Sequence, residues 1–358
     1  MKKVLLVILI FIINIINVYG LNDTSKSSIV MDIDSARILY QNDSNTERLI
    51  ASTTKLMTFL TAVSLGEYKL DDKVVVGNEV LKMYGTNMYL NVSEELTLRD
   101  LLYGLILRSG NDASVVIAKY LAGDIDTFVN YMNKKAKEIG MVNSTFKNPH
   151  GLDEETKNYS TAYDLALLTR YLYLNYPIYR EIAGSKYYDF QSNVKSYSLI
   201  NRCKIIFTYK YITTSKNGYT PLAGKSLVTT ASKNNLNLLI VTLDDYDIYE
   251  NHERLYENYF SKYENYLIID KNSFKIPKSL LEDDYYIKNN FYYPVKESEK
   301  DKIETKIIIE NKKDILGRIS VSLDNKLIHD ELIYKKNTQK YDISFFENIK
   351  KIIKKIFK

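Results

Sequence analysis

Residues 50–58 read IASTTKLMT, and the tetrad from Ser52 to Lys55 bears on fold and chemistry together. A helical pattern starts at Ser52, with Leu56, Phe59, Leu60 and Val63 recurring on one face. Three positions apart on such a helix, the Ser52 hydroxyl and the Lys55 amine share a face and lie within reach of each other. Ser52 would sit at the helix N-terminus, where the positive end of the dipole favours a developing alkoxide. A desolvated Lys55 loses its proton more readily and can serve as general base for the serine. Alone the pattern is weak. Ser-x-x-Lys arises by chance on the order of once in a chain of this length, and Ser52 could equally be a plain N-cap.

Working outward, SSIVMDIDSARILY (27–40) reads as two strands joined by a turn at Asp34-Ser35. From Leu98 to Tyr173 the apolar periodicity of LRDLLYGLIL, ASVVIAKYLA and STAYDLALLTRYLYL predicts a largely helical block. Strand-like runs return at Lys204–Thr213, Leu222–Ala231 and Leu236–Leu243. Strand, helical block, strand is an α/β or α+β layout in which the first strands can join the late ones in a single sheet. Near Tyr263 the pattern changes to short β-type runs (YLIID, YYIKNN, KIETKIIIE, RISVSLD, KLIHDELIY) between charged turns. This predicts a catalytic-type domain over 21–262 and a separate small β-rich domain over 263–338. No internal repeat or low-complexity linker marks the boundary.

Of 358 residues, 45% are apolar and 26% charged, which excludes wholesale disorder, and one Cys excludes a disulfide scaffold. The formal net charge of +5 sits at the ends: Lys2 and Lys3 supply two, residues 341–358 supply three, and the body is neutral. A nucleic-acid partner is therefore not expected. Residues 1–20, MKKVLLVILIFIINIINVYG, read as a secretory signal peptide cleaved after Gly20, so the body is expected to be exported. A lone Cys203 cannot pair internally and is read as buried or incidental. In residues 339–358, Phe345, Phe346, Ile349, Ile352, Ile353, Ile356 and Phe357 fall on one helical face and four lysines, 350, 351, 354 and 355, on the other. That is the pattern of an amphipathic helix lying on a membrane surface. The expected location is the outer face of the cytoplasmic membrane.

His150, His252 and His329 are scattered, without metal-ligand spacing, and no Gly-x-Ser-x-Gly elbow is present. No metal or cofactor is expected, and hydrolytic chemistry needs a base other than histidine. Two further pieces stand out. Ser109-Gly110-Asn111 follows a helical run; a hydroxyl and a carboxamide there can reach one cleft, although a helix C-cap with left-handed Gly110 explains the triplet as well. In Lys216-Asn217-Gly218-Tyr219-Thr220, the lysine offers charge to a substrate carboxylate and the glycine allows close approach. Alone, Asn217-Gly218 also reads as a hairpin turn.

The order Ser-x-x-Lys, Ser-x-Asn, Lys-x-Gly resembles the penicillin-binding and serine β-lactamase superfamily. IASTTKLMT, LTLRDLLYGLILRSGNDASVVIA, FKNPHGLD, YSTAYDLALLTRYL and GYTPLAGKSLV look like the low-molecular-mass D-alanyl-D-alanine carboxypeptidases, over about Ser27 to Leu243. The resemblance implies a central antiparallel sheet with a helical subdomain, then a small β-domain and an amphipathic foot. It implies Ser52 as the acylated nucleophile, Lys55 as its base, and Ser109 and Asn111 as proton relay and substrate clamp. Lys216 would face the terminal carboxylate, and the backbone N–H groups of Ser52 and Tyr219 would form the oxyanion hole. The implied substrate is a peptidoglycan stem pentapeptide, and β-lactam antibiotics would acylate the same serine.

One residue departs from the family pattern. Asn217 stands where a threonine is usual, and an altered hydrogen bond to a carboxylate costs about 1–3 kcal/mol. Activity is expected, in reduced measure. The competing expectations are a degenerate penicillin-binding protein that recognises cell-wall peptide without turnover, motivated by Asn217, and a β-lactamase. The added β-domain and foot speak against the latter.

Overall fold

The computed structural model describes residues 22–66, 69–276, 285–310 and 312–336; the leader expected at 1–20 and the amphipathic segment 339–358 lie outside them. The described chain divides into two units. The first comprises 22–33, 38–231 and 238–258, and the second 34–37, 232–237 and the residues from Tyr259 onward.

In the first unit the N-terminal strands β1 (Ser25–Asp32) and β2 (Ile38–Asn42) join three late ones, β3 (Ile212–Thr220), β4 (Gly224–Lys233) and β5 (Leu236–Asp245). The order is β2-β1-β5-β4-β3. β1 runs antiparallel to β5, with Ile29 opposite Val241, and β3 antiparallel to β4, with Lys216 opposite Val228 and Gly218 opposite Ser226. Seven of eight residues in β1 and six in a row in both β4 and β5 are buried. A sheet covered on both faces explains why these strands read as apolar runs rather than clean alternations. Asn234 and Asn235 turn β4 into β5 with φ of 52° and 62°, the left-handed pair a tight hairpin needs.

The helical part begins with a 3₁₀ turn, Ala51–Thr54, running into α1 (Lys55–Gly66). Ten of the twelve residues of α1 are buried, so this helix is core on nearly every side. α2 (Leu98–Tyr103) starts in a capping box between Thr97 and Asp100 and continues as a π-turn, Gly104–Arg108, before α3 (Asn111–Ala122). α4 (Ile125–Glu138) and α5 (Ala162–Asn175) are N-capped by Asp124 and Thr161. α6 (Pro177–Gly184) has Pro at its first position, and α7 (Ile248–Lys262) follows β5. The block expected to be helical from Leu98 to Tyr173 is interrupted between α4 and α5, where Asn143, Asn148, Pro149, Gly151 and Asp153 supply turn chemistry.

The strand expected at Lys204–Thr213 is not one. Ile205–Thr208 forms a helical turn, and strand structure begins at Ile212. Ile205 is fully buried with Cys203, Leu227 and Ile248, so packing against β4 and α7 overrides the β preference of the KIIFTYKYI run. Asn217-Gly218 lies inside β3, not at a hairpin turn.

In the second unit, β6 (Glu264–Ile269) pairs with β7 (Phe291–Val295). A separate sheet has the order Tyr285–Tyr286, β10 (Lys326–Lys335), β9 (Ile315–Leu323), β8 (Ile303–Ile309). The run YYIKNN contributes only two strand residues, while FYYPV forms β7, which the sequence reading missed. Pro294 hides such a strand, and β7 tolerates it because it pairs on one side only. The core is Ile269, Ile276, Ile287, Leu316, Ile319, Val321 and Ile333. Among the described residues no helix is long and apolar enough to cross a membrane.

Candidate active site

Ser52 occupies the 3₁₀ turn at the head of α1, whose N-cap is Ile50 without a side-chain cap bond. The plain N-cap explanation of Ser52 is thus excluded. Ala51 holds φ at +45°, a left-handed conformation that costs a non-glycine residue about 1–2 kcal/mol. One turn on, Lys55 is 0% exposed. Its Nζ lies 3.0 Å from Ser52 Oγ, 2.7 Å from Asn111 Oδ1 and 2.6 Å from the His150 carbonyl oxygen. Burial, reinforced by the nearby Lys216 cation, holds the Lys55 pKa well below the usual lysine range.

Ser109 ends the π-turn with φ 57° and ψ 38°, whereas Gly110 is extended. The left-handed residue is therefore the serine and not, as a simple C-cap would have it, the glycine. Asn111 opens α3; its Nδ2 donates to the Tyr84 carbonyl at 2.7 Å and its backbone N–H to Thr86 at 2.8 Å. Asp112 accepts from the backbone N–H groups of Met88 and Leu90 at 2.9 and 3.1 Å. Segment 84–90 is thereby tied to the start of α3, with the Asn111 carbonyl turned to Lys55.

Lys216 reaches in from β3, the edge strand of the sheet, and is 1% exposed. Its Nζ donates to Ser109 Oγ at 3.0 Å and to the Asn217 carbonyl at 2.5 Å. Burial lowers its pKa to about 7. Two buried lysines thus share one site with their protons less firmly held than in water. On the same strand, a Cβ on Gly218 would stand 2.9 Å from Ser52 N and 3.0 Å from Thr53 N. Only glycine lets β3 come this close to the head of α1. The Asn217 amide donates to Tyr249 Oη at 3.3 Å, and Tyr219 is largely exposed.

The structure thus gathers Ser52, Lys55, Ser109, Asn111, Lys216 and Gly218 around one point, with Asn217 and Tyr219 beside it. Sequence reading named the backbone N–H groups of Ser52 and Tyr219 but missed the backbone carbonyl of His150. Its ring is half-buried and its pKa falls to about 3, first through desolvation and then through Lys55, and the residue contributes its backbone carbonyl oxygen. Asn148 shapes this turn by accepting from Gly151 N at 2.6 Å, and Thr58 Oγ1 donates to the Pro149 carbonyl at 2.6 Å. The Asn-Pro-His-Gly turn signal was visible, but not which carbonyl it would present. Among the described residues, no group of His, Cys, Asp or Glu is placed to hold a metal ion.

A family model described as D-alanyl-D-alanine carboxypeptidase matches residues 18–247. The Bacillus subtilis protein named D-alanyl-D-alanine carboxypeptidase DacF is 37% identical over 222 residues, which are 61% of this chain and 56% of that one. The chain spans little more than half the length of the curated relatives it matches. The crystal structure of a D-alanyl-D-alanine carboxypeptidase from Mycobacterium tuberculosis superimposes with a TM-score of 0.63 at 27% identity, covering 67% of this chain and 92% of that one. Penicillin binding protein 5 from Haemophilus influenzae gives a TM-score of 0.72 at 23% identity over 88% and 97%, a likeness of fold alone.

Proposed function

Because the chain belongs to the D-alanyl-D-alanine carboxypeptidase family, we propose that it is a serine peptidase removing the terminal D-alanine from peptidoglycan stem pentapeptides through an acyl-enzyme on Ser52. The observation that carries this reading is the 3.0 Å contact between Ser52 Oγ and a fully buried Lys55. A neutral amine has two N–H groups and one lone pair. The Asn111 and His150 carbonyl oxygens take the two N–H groups, which leaves the lone pair for the Ser52 hydroxyl proton. Ser52 Oγ bonds to the substrate carbonyl carbon, the C–N bond breaks, and D-alanine departs with the serine's proton on its amine. Water then cleaves the ester. Lys216 and Ser109 supply positive charge and a proton path on the side of β3, and the close approach of Gly218 supports an oxyanion site at the Ser52 N–H. Asn217 and Tyr219 flank the leaving residue. The experiment is incubation of the full chain with a synthetic stem pentapeptide and, separately, with a labelled penicillin. D-alanine release together with a penicilloyl mass on the Ser52 peptide is expected. Labelling without release would instead indicate a peptide-binding protein that does not turn over.

The two lysines predict a pH profile. In the free protein Lys216 loses its charge as pH rises through about 7, so kcat/KM for a carboxylate-ended peptide is expected to fall above that point. A bound carboxylate holds the proton on Lys216, so kcat should fall only at higher pH. A carboxamide-ended peptide should show no such alkaline limb, and an identical limb for both peptides would remove Lys216 from carboxylate binding. Stability carries the opposite sign. The unfolded chain binds more protons between pH 7 and the ordinary lysine range, so this group makes the folded state more stable as pH rises through that window.

The Phe- and Ile-rich face and lysine pairs of 339–358 support a membrane-surface foot for an exported protein. The full chain is expected to sediment with vesicles containing anionic lipid, and a chain ending at Lys336 to stay in solution. Equal sedimentation of the two would overturn this.

A further inference from the structure

We propose that Asp153 is a positioning residue of the acyl site: through Thr220 it ties the turn that serves Lys55 to the strand that carries Lys216, and so fixes the spacing between the two sides of the site. The inference rests on the acyl-transfer reading of Ser52 and adds a residue to it. Successive side chains on a strand alternate between its faces, so Lys216, Gly218 and Thr220 form one row along β3. Each member of the row meets a different segment. Lys216 Nζ donates to Ser109 Oγ at 3.0 Å, Gly218 lies against the backbone of Ser52 and Thr53, and Thr220 Oγ1 donates to Asp153 Oδ2 at 2.5 Å.

The far end of the Thr220 bond is the turn over residues 148–153, which is already fixed to the head of α1. The His150 carbonyl accepts from Lys55 Nζ at 2.6 Å, Gly151 stands against the Ala51 carbonyl, and Asn158 Nδ2 donates to Thr54 Oγ1 at 3.0 Å. Asp153 fixes the same turn to β3. The contact is enclosed, with Asp153 5% and Thr220 8% exposed. The Thr220 hydroxyl is used in both senses, since it gives its proton to Asp153 and accepts from Ala223 N at 3.0 Å. Apolar atoms in place of the two oxygens would touch at about 3.5–4.0 Å, so loss of the bond lets strand and turn part by about 1 Å. A misplacement of about 1 Å in a reacting site costs on the order of 100-fold in rate. Asp153 thus acts through β3 and the turn rather than on the reacting atoms.

The test is the time course of labelled-penicillin attachment to Ser52 in the full chain, with folding checked by circular dichroism. Its endpoint counts folded molecules, and its rate reports the geometry of the site. Thr220→Val is expected to reach the wild-type endpoint about 100-fold more slowly. Thr220→Ser keeps the hydroxyl and Asp153→Asn keeps an acceptor oxygen, so both should label within about threefold of the wild-type rate. Labelling of Thr220→Val at the wild-type rate, to a full or a reduced endpoint, overturns the proposal, because lost stability by itself lowers the endpoint and leaves the rate. Slowing of the two conservative variants as severe as that of Thr220→Val overturns it as well. If Thr220→Val does not fold, Thr220→Val combined with Asp153→Leu, which buries no unpaired carboxylate, takes its place and is read in the same way. A wild-type chain that takes no label overturns the acyl-transfer reading and this proposal with it.

Discussion

Alanine in place of Ser52 is expected to abolish penicillin labelling and to lower D-alanine release at least ~10³-fold, and Lys55→Met to cost nearly as much. In the proposed mechanism the two side chains act as a unit. Ser52 Oγ is a weak nucleophile until its proton has somewhere to go, and the nearest acceptor is an amine 3.0 Å away whose pKa is held low by burial and by Lys216. The double variant should therefore be no worse than either single one, because the second change removes a group that no longer has work. Methionine matches the length of the lysine stem, so circular dichroism and thermal unfolding of the variant separate lost chemistry from lost fold. Penicillin labelling of Lys55→Met at the wild-type rate would remove Lys55 as the base and throw the reading back on Lys216, the other lysine of the site.

The second large effect is on stability. Gly151 has φ +87°, and a Cβ there would fall 2.0 Å from the Ala51 carbonyl oxygen and 2.5 Å from its carbonyl carbon. That is backbone against backbone directly behind Ser52, so no side-chain rotation relieves it. Gly151→Ala is expected to cost about 3 kcal/mol or more, combining a left-handed alanine with overpacking. Its acylation rate should also drop, because relieving the clash shifts either the peptide that carries Ser52 or the turn that presents the His150 carbonyl to Lys55. Gly123 gives the control, with nearly the same φ of +84° and nothing within 4 Å of a Cβ. Gly123→Ala should cost only about 1–2 kcal/mol, the backbone contribution by itself. Chemical denaturation of both variants measures the difference, and equal losses would mean that the Ala51 contact is not the cause.

How much could be read before any coordinates depended on how local the cause was. Ser52 and Lys55 share one helical turn, and three-residue spacing on a helix is a property of the backbone, so their proximity followed from the letters. The joining of first and last strands in one sheet followed from the order of apolar runs. The same local logic misled at two places and left a third ambiguous. The KIIFTYKYI run has β-type residues yet begins as a helical turn, because Ile205 is buried against Leu227 and Ile248. Asn217-Gly218 has the composition of a turn yet sits mid-strand, because Gly218 is needed where β3 meets Ser52 and Thr53. FYYPV was passed over because proline argues against strands in general but not against one paired on a single side.

By itself, then, the sequence determined which residue types could do chemistry, the helix that aligns Ser52 with Lys55, and the succession of strand, helix and strand. Only the tertiary structure decided their chemical state. The low pKa of Lys55 requires exclusion of water by segments 56 and 95 residues further along the chain, and two oxygens, one of them a backbone carbonyl that any residue at position 150 would carry, hold its amine beside Ser52. Spacing along a chain encodes contacts within a turn or two of helix. Solvent exclusion and the aim of a carbonyl group arise when distant segments pack, and no short stretch of letters records them.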